Sequence, residues 1–183
     1  MPDVTKQNKP NRPYHIEAYN PDWPKQFEAQ KAKLQSILGD EVIRIEHMGS
    51  TAVPGLAAKP QIDVLVEVKS LETVPSFYDG MESAGYQPKG DYTMTGEEYF
   101  TFDNADGVRL ASIHMYPSGH PEIAFQISFR EYLKSHPNEV KDYGELKLSL
   151  QKQFPDDYKA YGKGKEQYIN DLRTRVQAWA KTY

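Results

Sequence analysis

Residues 46–68 read Glu-His-Met-Gly-Ser-Thr-Ala-Val-Pro-Gly-Leu-Ala-Ala-Lys-Pro-Gln-Ile-Asp-Val-Leu-Val-Glu-Val, and this stretch decides the fold. Its last seven residues, Ile62 to Val68, are rich in Val and Ile and apolar on both faces apart from Asp63 and Glu67. That pattern predicts a strand with neighbours on both sides. Val42 to Met48 predicts a second strand, which runs into the Gly49-Ser50 turn. Ser50 to Ala58 is expected as a loop or a short helical turn. A carboxylate at Asp63, in a run this apolar, needs a partner or a metal. A Gly-Ser turn leaving a strand can present backbone N–H groups to phosphate oxygens.

Working outward, Tyr14 to Ala18 is expected as a short edge strand. A helix should start at Asn20, with Pro21 at its first position, and run on the face Trp23, Phe27, Leu34, Ile37 and Leu38 until Gly39. Leu71 to Ala84 predicts another helix, with Pro75 in its first turn and Gly85 at its end. Tyr86-Gln87 begins a further strand, and Gly90 to Gly96 is turn. Glu98 to Asp103 and Val108 to Tyr116 form a hairpin around Asn104 to Gly107. The period then becomes helical. Ile123 to Lys134, Asn138 to Phe154 and a last segment bearing Tyr168, Ile169, Leu172, Val176 and Trp179 predict about three helices. The class is α+β: a mixed sheet flanked by helices, with a C-terminal helical segment. Residues 1–13 are expected as a disordered tail. Residues 14–183 should form one domain, with the sheet core reaching to about 120 and the helical segment spanning 121–183.

Composition narrows the function. The chain has 183 residues, a net charge of −4 and no cysteine, so thiol chemistry is excluded and no global basic field recruits nucleic acid. Any anionic ligand must be drawn by a local arrangement. Its 13 tyrosines supply large amphipathic side chains to a core of modest apolar content. No apolar run approaches the roughly 20 residues of a membrane span, and the polar, Pro-rich start lacks a signal-peptide core. A cytoplasmic protein with no membrane partner is expected; oligomeric state is left open.

The string from His47 through Gly49-Ser50 to Asp63 resembles the GrpB family, nucleotidyltransferase-like proteins of the DNA polymerase β-type superfamily. Tyr19-Asn-Pro-Asp-Trp-Pro, Phe129-Arg-Glu-Tyr-Leu, Tyr143-Gly-Glu-Leu-Lys147 and Tyr161 through Lys165-Glu-Gln-Tyr-Ile agree with it. The resemblance implies that Asp63 holds Mg²⁺ as the catalytic carboxylate and that Gly49, Ser50 and Thr51 bind phosphate. It further implies that Arg130, Lys147 and Lys165, one on each helix, supply outer positive charge. Lys59 lies at the mouth of the Asp63 strand and joins the phosphate-binding set. The superfamily usually places acids at i and i+2 of one strand, where they share a face. Here the second position is Leu65. Glu67 shares that face but lies roughly 13 Å along the strand, too far to share a metal, and reads as a strand end reaching solvent. Other ligands would come from neighbouring strands. The family shows His-x-His where this chain has Ser112 and His114, and His47 precedes the turn; both histidines are candidate site residues. Glu98 and Asp103 are lesser carboxylate candidates.

These residues lead to the expectation of a nucleotidyltransferase-like protein that binds a nucleotide or phosphorylated small molecule. Mg²⁺-dependent nucleotidyl transfer is its finer form. One alternative is a binding module that has lost catalysis, which Leu65 favours. The other is a metal-dependent hydrolase built on His47, His114 and Asp63.

Overall fold

The computed structural model describes residues 14–91 and 96–182. The expected N-terminal tail and part of the Gly90 to Gly96 turn lie outside the described residues. Five strands form one mixed sheet in the order β1-β2-β5-β4-β3. They are β1 (Val42–Met48), β2 (Ile62–Val68), β3 (Tyr86–Gly90), β4 (Glu98–Asp103) and β5 (Arg109–Pro117). β2 pairs antiparallel with β1 and parallel with β5, so its backbone is satisfied on both edges. The expected hairpin forms, with β4 antiparallel to β5. No strand forms at Tyr14 to Ala18; the segment makes only an isolated bridge, Glu17 to Ala58.

Among the described residues, six α-helices accompany the sheet: α1 (Trp23–Leu38), α2 (Tyr78–Ser83), α3 (Pro121–Ser135), α4 (Pro137–Gln153), α5 (Tyr158–Gly164) and α6 (Glu166–Ala180). α1 starts later than expected. Pro24, not Pro21, occupies its first turn, and the Asn20 side chain instead accepts from the Asp22 N–H. The stretch after Leu71 opens with a turn and a 3-10 segment, Val74–Phe77, and only its second half is the short α2. The C-terminal segment holds four helices, because the chain breaks at Lys165 between α5 and α6.

Strand period sorts the residues of β2 onto two faces. Ile62, Val64, Val66 and Val68 pack with Trp23, Phe27, Leu34 and Leu38 of α1. Asp63, Leu65 and Glu67 occupy the other face, toward α3. There Leu65 is fully buried among Met48, Tyr116 and Ile123. Glu67 does not reach solvent as expected: it is buried, accepting from Arg44 Nε at 2.8 Å and from Ser118 Oγ at 2.8 Å. Burial pushes its carboxyl up, but the Ser118 and Arg44 hydrogen bonds outweigh that and hold it below the ordinary glutamate value.

The apolar nest around Leu65 makes an acidic side chain at this position untenable. Leu65→Ala is expected to cost about 2–5 kcal/mol through the cavity it leaves. Leu65→Asp should cost more, because it buries an unpaired carboxylate. Urea denaturation of the two variants checks the order; an aspartate variant as stable as wild type would refute the packing argument.

Candidate functional site

The site begins with one close approach. Gly49 leaves β1 at φ +72°, and a Cβ built on it would stand 2.3 Å from Asp63 Oδ2. Only glycine lets the turn lie against the carboxylate and also adopt this backbone conformation. Ser50 to Ala52 then closes a 3-10 turn, with the Ala52 N–H donating to Gly49 O at 3.3 Å. Thr51 is buried in that turn and meets His47 Nε2 at 2.9 Å. Gln61, just before β2, donates to Asp63 Oδ1 at 3.2 Å and to Ser112 Oγ at 2.8 Å. Ser112 is Asp63's register partner on β5.

Three lysines converge on this floor. Together with Gly49, Ser50, Thr51, Gln61 and Asp63, they line one cleft of about 280 Å³. Lys147 comes from α4, Lys165 from the α5–α6 junction and Lys59 from the loop before β2. Each ammonium position sits over a tyrosine ring: Lys147 over Tyr143 at 4.3 Å, Lys165 over Tyr161 at 5.0 Å and Lys59 over Tyr158 at 4.8 Å. Lys147 is only 2% exposed and donates to Ser50 Oγ at 3.1 Å. Among the described residues it has no ion-pair partner. Burial, then the Lys165 and Lys59 charges, pull its amine down to about 6, against an opposing pull from Asp63. Lys165 is lowered for the same reasons, burial first and Lys59 second. The opposite wall is apolar and aromatic, formed by Phe125 and Phe129 of α3 and Ile169 of α6.

The structure therefore gathers Gly49, Ser50, Thr51, Lys59, Asp63, Lys147 and Lys165, and leaves Arg130, His47, His114, Glu98 and Asp103 outside. Arg130 lies one turn beyond Gln126 along α3, past the Gly-Ser turn. There it donates to Glu46 Oε2 at 2.8 Å and to His47 O at 2.9 Å, and pairs with Glu131. His47 points to the opposite face of the sheet from Asp63, stacked on Phe27 of α1 at 4.8 Å. Burial, then Arg130 and Lys134, depress it to about 4, so it stays neutral at physiological pH. His114 shares Asp63's face but pairs one register step further on, opposite Leu65, and its Nδ1 meets the buried Glu97 at 2.6 Å. Glu98 is bonded by Tyr78 and Asp103 by Arg109, both away from the cleft.

Sequence reading missed Gln61, Tyr143, Glu97 and Arg173. Gln61 sits two residues before Asp63, in reach by strand period, and Tyr143 lies one helical turn before Lys147. Those spacings were the available signals. Arg173 lines the cleft from α6 over the Phe125 ring at 4.4 Å, and nothing local in the sequence marks it.

The residues do not fit a two-metal centre. Asp63 is the single carboxylate lining the cleft, and no group of three His, Asp or Glu side chains gathers among the described residues. Leu65 fills the place where a second acid would stand.

Lys147 has a measurable consequence. Its folded-state value, about 6, lies below its ordinary 10.5, so between these values the unfolded chain binds a proton that the folded chain does not. Stability from this group therefore rises with pH across that window, by at most about 1.4 kcal/mol per pH unit. Lys147→Met removes the charge and keeps the bulk. Its stability advantage over wild type should be greatest below pH 6 and shrink as pH rises toward 10.5. Urea midpoints for both proteins across pH 5.5–10 check this as an expected trend of about that slope; a pH-independent gap would mean that Lys147 stays charged.

Comparison with known proteins agrees with this geometry. Residues 13–175 match the family model described as GrpB protein. The UPF0157 protein YqkA of Bacillus subtilis (strain 168) is 40% identical over 172 residues, covering 94% of this chain and 50% of that protein. The chain thus spans about half the length of that relative. The crystal structure of conserved protein GrpB from Enterococcus faecalis superposes with a TM-score of 0.84 at 33% identity, covering 92% of this chain and 99% of that one. The Cid1 poly(U) polymerase, in a structure with Mg 3'-dATP bound, superposes with a TM-score of 0.51 at 12% identity, covering 81% of this chain and 49% of the other. That likeness is one of fold. No helix among the described residues is long and apolar enough to cross a membrane. With its matching family model, its sheet order and its Gly49-Ser50 turn against Asp63, the chain belongs to the GrpB family and carries a nucleotidyltransferase-like fold.

Proposed function

We propose that the cleft binds the phosphate groups of a nucleotide or another phosphorylated small molecule. The observation that carries this reading is the convergence of Lys59, Lys147 and Lys165 on a pocket with one lining carboxylate. Crowding amines costs free energy through desolvation and mutual repulsion, which is why Lys147 and Lys165 are both lowered. A phosphate supplies the missing negative charge and accepts their hydrogen bonds. The Gly49-Ser50-Thr51 turn adds hydroxyls on the same side. Partial burial of the amines excludes water and strengthens their pull on an anion. The aromatic wall of Phe125 and Phe129 gives an attached organic group a surface to pack on.

Nucleotidyl transfer by two Mg²⁺ ions is the weaker form of this reading, because the second strand acid is a buried leucine. Asp63 alone would leave a Mg²⁺ ion to be held mainly by the ligand's own phosphates, since Mg²⁺ takes few protein ligands and keeps its waters. Binding without two-metal transfer is the reading that Leu65 favours. The hydrolase reading has less support, since His47 and Asp63 occupy opposite faces of the sheet.

Calorimetric titration with inorganic tripolyphosphate and with a nucleoside triphosphate tests the proposal. Lys165→Ala and Lys59→Ala should each weaken binding by about 1.5–3 kcal/mol, the scale of a charged hydrogen bond. Arg130→Ala should leave affinity unchanged, since its guanidinium is committed to Glu46 and Glu131. Mg²⁺ added alone should give no saturable heat. Equal affinities for wild type, Lys165→Ala and Lys59→Ala would show that these lysines are not the phosphate site.

A further inference from the structure

Beyond lining the phosphate cleft, Ser50 and Lys147 form a close pair of their own. Lys147 Nζ stands 3.1 Å from Ser50 Oγ. The amine is buried, sits against Tyr143 and has no carboxylate in ion-pair contact among the described residues. Ser50 follows a glycine with positive φ and opens a tight 3-10 turn, so its hydroxyl projects from a strand end into the cleft. Tyr143, one helical turn before Lys147 on α4, lines the same cleft beside Ser50. A serine hydroxyl within reach of a desolvated amine, beside further cations, is the arrangement by which a weak nucleophile gains a base.

We propose that Ser50 is a nucleophile with Lys147 as its general base, and that the cleft transfers a phosphoryl or nucleotidyl group from a phosphoanhydride onto Ser50. This rests on the phosphate-binding reading above. In the step, Ser50 Oγ attacks phosphorus and an Oγ–P bond forms. The P–O bond to the departing phosphate or pyrophosphate breaks, and its electron pair leaves with that oxygen. The Ser50 proton passes to Lys147 Nζ. Lys165 and Lys59 face the leaving group, and its charge offsets the ammonium formed at Lys147. No oxidant, reductant or further reactant is needed.

The amine must be neutral for this role. Lys165 from the α5–α6 junction, Lys59 from the loop, Asp63 from β2 and Tyr143 from α4 are the titratable groups around it. The two lysines and burial lower its proton affinity; Asp63 opposes them.

A fluorophosphonate probe tests the pair without knowledge of the ligand, because it carries an uncharged phosphorus electrophile that reacts with activated serines. The intact protein should take up one equivalent, and peptide mass mapping should place it on Ser50. The rate should climb through the titration of Lys147, about pH 6. Ser50→Ala should abolish labelling, and Lys147→Met should slow it at least tenfold at pH 8. Lys165→Ala removes a neighbouring charge, so it should move the pH profile to higher pH, an effect that a merely structural lysine would not have. Absence of Ser50 labelling in wild type at pH 8, or an equal rate in Lys147→Met, overturns the proposal. Tripolyphosphate titration of the same samples separates the two failures: binding without labelling removes the nucleophile and keeps the phosphate site, and absence of both removes the underlying reading.

Discussion

The contact between the Gly49 backbone and the Asp63 carboxylate is the constraint on which the rest of the site depends. It ties the exit of β1 to the start of β2, two strands that are already register partners at Met48 and Asp63. A side chain at position 49 would occupy the space of the carboxylate. With the turn held there, Ser50 faces the helices and Thr51 is locked beneath it by His47. His47 therefore acts on the site from the far side of the sheet, through the buried Thr51 hydroxyl. Its stacking on Phe27 joins the turn to the large core under α1. The floor of the cleft is thus rigid because it is part of the sheet.

The C-terminal helices bring the charge. Lys147 occupies a position on α4 flanked by core residues, with Tyr143 one turn before it and Leu150 one turn after, both buried. An apolar side chain at this position would serve packing better, since desolvating an amine is costly. The tyrosines beneath the three lysines reduce that cost, because an aromatic face attracts a cation and a hydroxyl can bond it. Two of these rings, Tyr158 and Tyr161, pack against each other and against Tyr14. Four of the chain's 13 tyrosines, Tyr14, Tyr143, Tyr158 and Tyr161, form this support.

The sheet was legible because its signal is local. Ile62 to Val68 and Val42 to Met48 show their strands by composition and alternation, and the hairpin follows from Asn104 to Gly107. Helix starts were less legible. Two prolines near the head of α1 both suit a first turn, and only packing of Trp23 chooses Pro24. The break at Lys165 was hidden because the apolar spacing reads on through the junction. In the site, Asp63, Gly49, Ser50, Thr51, Lys59, Lys147 and Lys165 were nameable from the sequence, but Arg130 was not separable from them. Helix period gives a face and says nothing of how far along the axis the cleft ends, and Glu46 captures Arg130 one turn too far. His47 misled for a related reason: a residue adjacent to a functional turn in sequence lies on alternate faces of a strand, and parity assigned it to the α1 side.

The replacement of an acid by Leu65 and the burial of Lys147 are connected in physical terms. A second carboxylate on β2 would draw cations and water to that face and would hold a nearby amine protonated. With Leu65 buried against Met48, Tyr116 and Ile123, Asp63 is the carboxylate that opposes the lowering of Lys147. An apolar residue at position 65 is therefore consistent with an amine at Lys147 able to accept a proton at neutral pH. Chemistry in such a cleft would rest on preorganised amines and hydroxyls, whose positions are set by the sheet and whose proton affinities are set by desolvation. On the proposed reading, the turn-and-strand scaffold would present phosphate to Ser50, and proton handling would fall to Lys147 on α4, since β2 offers Asp63 alone to the cleft.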